Sequence, residues 1–180
     1  VSAYPLRDTA RGVVLDPQGR LLLIAYQAAR DVDPARPGLR RFWFTPGGGR
    51  EEGETYEEAL TRELFEEIGV SGMAPGPLVG TREGPLLLFR RQCHVRERHY
   101  VVRLPGPEID ASRLPFTEGD PVLDVRWWDL DALDASGEVV EPAGLVGLAR
   151  RVGAGDLPAA PVALSFTARA TTARATVPPA

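Results

Sequence analysis

The chain has 180 residues, 43% hydrophobic and 26% charged, with a formal net charge of −4, the composition of a globular protein with one domain and a real core. All 21 basic residues are arginine, which excludes a catalytic or phosphate-loop lysine, and the single cysteine, Cys93, excludes an intramolecular disulfide and a cysteine-cluster zinc site.

Residues 1–9 are an unpatterned lead-in. Residues 10–15 and 20–26 are apolar-rich runs separated by Asp16-Pro17-Gln18-Gly19, which suits a type I turn, so an antiparallel hairpin is expected. Residues 27–40, with Pro34, Pro37, Gly38 and three arginines, read as a long loop of the kind that goes with binding or disorder. Residues 41–45 form a short strand that Pro46 stops. On it Trp43 faces away from Phe42 and Phe44, which leaves it two uses, stacking on a nucleobase or packing in the core. Arg41, at the start of this strand, is a candidate substrate contact.

Pro46-Gly47-Gly48-Gly49 follows, a turn whose backbone can approach an ion or a phosphate without side-chain obstruction. Thr55 and Glu58 make a capping box and Gly69 suits a left-handed helix stop, so the spacing predicts a helix over 56–68. Leu60, Leu64 and Ile68 then share a core face with Phe65 beside them, while Glu63, Glu66 and Glu67 share the neighbouring face at i, i+3 and i+4. Like charges at those spacings repel by a few tenths of a kcal/mol per pair, so the cluster calls for a cation. Magnesium, a hard ion commonly shared between carboxylates and substrate phosphates, is the natural one, with manganese as the alternative.

From Gly48 the sequence runs five residues to Glu54 and seven more to Arg62-Glu63-Leu64-Phe65-Glu66-Glu67-Ile68-Gly69-Val70. Every specified position matches the Nudix box, and the chain resembles the MutT-like Nudix hydrolases, more weakly outside the box over about residues 8–153. The resemblance implies an α/β/α sandwich around a mixed sheet and metal-dependent hydrolysis of a nucleoside diphosphate linked to a second moiety. It implies that Glu66 and Glu67 are the principal metal ligands and that Glu63 is a further ligand or the group that takes the water's proton. Gly48, or Gly47 beside it, would offer a carbonyl to the metal, and Arg62 with Glu54 would brace the loop against the helix.

After the turn cluster at 72–77, strands are expected at 78–82, 86–91 and 96–104, with His94 and His99 as surface or strand histidines. Residues 110–121 read as a polar loop, 122–128 as a strand, 129–133 as a helical turn capped by Asp129, and the segment from Pro142 to Gly153 as a last helix. Glu118-Gly119-Asp120-Pro121 ahead of Trp127 resembles a MutT pattern in which a late-loop glutamate swings toward the metals, so Glu118 is the candidate fourth metal ligand and catalytic acid, with Asp120 second.

The domain is expected over 10–155, with 156–180 an unstructured Ala-, Pro- and Thr-rich tail. No apolar run has the length of a membrane span and none resembles a signal peptide, so a cytoplasmic protein is expected. Its partner is a small nucleotide, with ADP-ribose and dNTPs as candidates. Nucleic acid is expected only as an RNA 5′ end, and the oligomeric state is left open. The rival reading is a Nudix-fold sensor that binds a nucleotide without turning it over.

Overall fold

The computed structural model describes residues 4–28, 30–32, 35–88, 91–114 and 121–166. Strand β1 (Leu6–Leu15) turns through Asp16, whose carboxylate accepts from the Gln18 and Arg20 amides, into β2 (Leu21–Gln27). Alternation along both strands sets the layering. Val13, Leu15, Leu21, Leu23 and Ala25 enter one buried cluster, while Ala10, Val14 and Leu22 enter another on the opposite face.

The remaining strands are β3 (Arg41–Phe44), β4 (Gly47–Gly49), β5 (Leu78–Leu88), β6 (Arg91–Arg103), β7 (Val122–Trp128) and β8 (Val162–Ala163). Their order is β3-β2-β1-β6-β5-β8, with β4 on the edge of β1 and β7 on that of β2. The sheet is mixed: β1 runs parallel to β6 and β5 parallel to β8, whereas the other pairs are antiparallel. Helix α1 (Tyr56–Ile68) covers one face, and α2 (Leu130–Ser136) and α3 (Leu145–Gly153) cover the other. This is the α/β/α arrangement expected from the sequence.

Helix α1 has both halves of its capping box and ends at Gly69 with φ 70°. Its buried face is Ala59, Leu60, Leu64 and Ile68, and each large aliphatic there contributes about 1.5–3 kcal/mol by leaving water. Phe65 does not join that face, since it is 42% exposed. Glu67 takes the place at the buried margin instead.

Several expectations are corrected. Strand β1 begins at Leu6 because β6 pairs with it along its whole length, drawing part of the lead-in into the ladder. The two strands expected at 78–82 and 86–91 are the single strand β5, which passes without a break through Gly84 and Pro85. Of the two places open to His99, surface or strand, the strand is the one found, and the side chain is fully buried there on β6. Helix α3 starts at Leu145 after Gly144 and leaves Pro142 outside it. Residues 162–163, placed by sequence in an unstructured tail, pair with β5, Leu164 enters the core and Ser165 pairs with Ala143.

Candidate active site

Arg62 is the hub of the glycine turn. From the second turn of α1 it reaches back to Glu54 with two parallel bonds, Nε to Oε1 at 2.8 Å and Nη2 to Oε2 at 3.1 Å. The same Nη2 donates to the Gly49 carbonyl at 2.8 Å, so one guanidinium fastens the end of the turn to the helix. These bonds, the Arg62 pair first and the Glu51 amide second, hold the Glu54 carboxyl down at about 2. The remaining nitrogen, Nη1, donates to Glu63 at 3.0 Å and to Glu66 at 3.3 Å. Two of the three acids on this face therefore share Arg62 as a counter-cation.

Glu67 turns the other way, into the protein. It is 6% exposed and its Oε2 accepts the Gly47 amide at 2.7 Å. Burial pushes its carboxyl up to about 8; the Arg11 charge and the Gly47 amide pull it down, and Glu63 and Glu66 push it further up. Near neutrality this is an acid that keeps its proton unless a cation replaces it. Buried Tyr26, which lies in the field of Glu67, is also raised, mainly by burial.

Gly47 has φ 124°, and a side chain there would run into the Ala10 carbonyl, so only glycine fits this close antiparallel pairing with β1. A Cβ on Gly48 would occupy the space of the Glu63 carboxylate. Gly47 is thus required by the approach of β1, and a side chain at position 48 would displace the Glu63 carboxylate.

The chemistry of this donor set fits a hard divalent cation: three carboxylates and backbone carbonyls, all oxygen, on one helix face and the turn beside it. Among the described residues no three acidic, histidine or cysteine side chains converge as a preformed cation site. Glu63 and Glu66 lean on Arg62 while Glu67 leans on Gly47, which keeps the three apart.

Two residues of β3, Trp43 and Arg41, are the other expected substrate contacts. Trp43 is 1% exposed, packs edge-on against Trp128 at 5.1 Å and donates its indole N–H to Glu138 at 3.0 Å, so of its two uses core packing is the one found. Arg41 pairs with the same Glu138, through both Nε and Nη2. Glu118 and Asp120 lie outside the described residues.

Sequence reasoning missed a buried set of charges behind the turn. Arg11 on β1 donates to the Thr45 carbonyl at 3.3 Å and, more closely, to that of Gly47. Its Nε lies 3.8 Å from Glu97. Glu97 accepts from Arg82 at 2.5 Å, and Arg82 donates onward to Glu141 at 2.9 Å. Arg82 and Arg11 hold the Glu97 carboxyl far below the usual carboxylate range despite its burial, and burial lowers its neighbour His99. The available signal was an arginine at an inward position of an apolar strand, in phase with Val13 and Leu15.

The family model described as NUDIX domain matches residues 5–145. The RNA pyrophosphohydrolase of Rhizobium meliloti (strain 1021) is 30% identical over 138 residues, covering 69% of this chain and 78% of that one. The putative mutator protein MutT4 of Mycobacterium tuberculosis is 33% identical over 79 residues, 44% of this chain, and the match spans only 32% of that relative. The crystal structure of the MutT protein from Methanosarcina mazei Go1 superimposes with a TM-score of 0.58 at 18% identity, covering 87% of this chain and 99% of that one, which is a likeness of fold. No helix among the described residues is long and apolar enough to cross a membrane.

Proposed function

The chain belongs to the NUDIX family, and from that premise we propose that it hydrolyses the diphosphate linkage of a nucleoside diphosphate joined to a second moiety, with magnesium, or manganese in its place, held on the acidic face of α1. The observation that carries this reading is that α1 sets Glu67 on the Gly47 amide and Glu63 beside Gly48, with Glu63 and Glu66 joined through Arg62, which also holds the Gly49 carbonyl. Glu66 and Glu67 are the proposed principal ligands, with the Gly48 carbonyl and Glu63 beside them, and Glu118 is kept as a fourth acid on its sequence pattern. The Gly47 carbonyl is engaged by Arg11, which supports Gly48 as the donor of the pair.

When bound, the metal supplies neutralisation of charge on phosphate oxygens and acidifies a water. In the reaction the water oxygen bonds to one phosphorus and the bridging oxygen departs with the electrons of the broken P–O bond. The water's proton passes to a carboxylate, for which Glu63 is the candidate. The products are a nucleoside monophosphate and the phosphorylated second moiety. Arg62 keeps the Gly49 end of the turn fixed, and its partners Glu63 and Glu66 would hold the metal together with Glu67.

The name of the Rhizobium relative, RNA pyrophosphohydrolase, supports the RNA end among the candidates already drawn from the sequence. The test is a panel of ADP-ribose, diadenosine polyphosphates, normal and oxidised dNTPs and triphosphorylated RNA, incubated with magnesium and resolved by product mass. Hydrolysis of at least one member at a P–O–P bridge is expected. Saturable binding with no product across the panel would favour the sensor reading instead.

A further inference from the structure

Arg11 is a guanidinium inside a strand, 5% exposed, and its surroundings do not make it a stabilising ion pair. The nearest carboxylate, Glu97, stands 3.8 Å from Nε without a hydrogen bond, and Nε has no hydrogen-bond partner among the described residues. The side chain lies over the Phe44 ring at 4.2 Å. A buried charge in such a setting is generally no better for stability than an apolar side chain of the same volume. Its specific bonds are to backbone: Nη1 donates to the carbonyls of Thr45 and Gly47, one on each side of Pro46.

The carbonyl between them, that of Pro46, accepts the Gly12 amide at 2.9 Å. Three consecutive carbonyls at the entry to the glycine turn are therefore held by two consecutive residues of β1. Gly47 is the meeting point. Its carbonyl is held by Arg11 and its amide is held by Glu67, so the two side chains grip one residue from opposite ends.

We propose that Arg11 is a positioning residue for the reaction: its guanidinium fixes the Gly47 peptide, and that peptide in turn holds the Glu67 carboxylate and the Gly48 backbone in place. The assignment rests on the hydrolase reading above. Glu97, itself anchored by Arg82, keeps the guanidinium from rotating off the carbonyls. A lysine at this position would retain the charge beside Glu97, but its ammonium ends one bond short of Nη1, the single nitrogen that reaches both Thr45 and Gly47.

That difference gives the test. Arg11→Lys is expected to fold, and to lower kcat at least tenfold with KM within about threefold of the parent, because misplacement of catalytic groups is felt in the chemical step. In metal-free protein, amide exchange at Gly47 is expected to accelerate at least tenfold in the variant while amides of β2 and β6 keep their parental rates. Parental kcat together with parental Gly47 exchange in Arg11→Lys would overturn the proposal, as would a defect restricted to melting temperature. The unaltered protein provides a reading independent of whether the variant folds. A metal-free Gly47 amide that exchanges at the rate of an open loop means the grip is absent. If the panel yields no product from the unaltered protein while Gly47 is strongly protected, the hydrolase reading fails and the grip on Gly47 stands.

Discussion

Arg62 and Glu54 lie eight residues apart and meet in a two-point contact whose second nitrogen also holds the Gly49 carbonyl. The contact joins the end of the glycine turn to the second turn of α1, and it makes the spacing between them in sequence a requirement of geometry. Only a planar, multiply donating cation bridges a carboxylate, a carbonyl and two further acids at once.

Arg62→Lys should therefore keep the charge and lose the brace. We expect kcat to fall by roughly tenfold to a hundredfold, the scale of effect produced by a small misplacement of reacting groups. The melting temperature should move by only a few degrees, since the helix retains its capping box and buried face. Steady-state kinetics beside a thermal melt checks both halves.

The pH dependence of metal-free stability follows from Glu67. Its folded carboxyl is raised to about 8 from 4.5, so between those values the folded state holds a proton that the unfolded state has released. More protons on the folded side means that stability from this group falls as pH rises from about 4.5 to about 8 and is level beyond. His99, lowered by burial, acts in the opposite sense up to its ordinary range, so the difference between parent and Glu67→Gln is the informative quantity. Metal-free melts should show Glu67→Gln gaining on the parent as pH rises through that window, and parallel curves would place the proton elsewhere.

The two apolar neighbours Leu64 and Phe65 separate the faces of α1. Leu64 is 2% exposed, and Leu64→Ala should destabilise by roughly 2–5 kcal/mol through the cavity it leaves. Phe65 is 42% exposed, and Phe65→Ala should stay below about 1 kcal/mol. Urea unfolding of the two variants measures this directly.

The parts legible in the sequence were those written in neighbouring residues. Thr55, Glu58 and Gly69 delimit α1 through local hydrogen bonds, and the acidic face follows from helical periodicity alone. Phe65 was misassigned because it sits at the edge of the apolar stripe, where periodicity does not say which side the sheet will cover. Trp43 was left open because alternation gives a face but not whether that face is roofed, and it is α3 and Trp128 that share its buried cluster. The grip of Arg11 was invisible because it depends on β4 pairing antiparallel with β1, which sets position 11 opposite Gly47, while the parallel pairing of β1 with β6 brings Glu97 and His99 behind it. The strand at 162–163 escaped for a similar reason, since two residues of ladder on β5 leave no pattern among alanines and prolines.

Whether the acidic face of α1 against the glycine turn carries the hydrolysis is decided by Glu67→Gln. The change keeps the size of the side chain, leaves an acceptor for the Gly47 amide and removes the capacity to become a carboxylate. On the best substrate of the panel, at saturating magnesium, kcat is expected at least about a hundredfold below the parent, some 2.7 kcal/mol of barrier, with the metal-free fold as stable as the parent's or more so. A folded Glu67→Gln protein that turns over within threefold of the parent would contradict it.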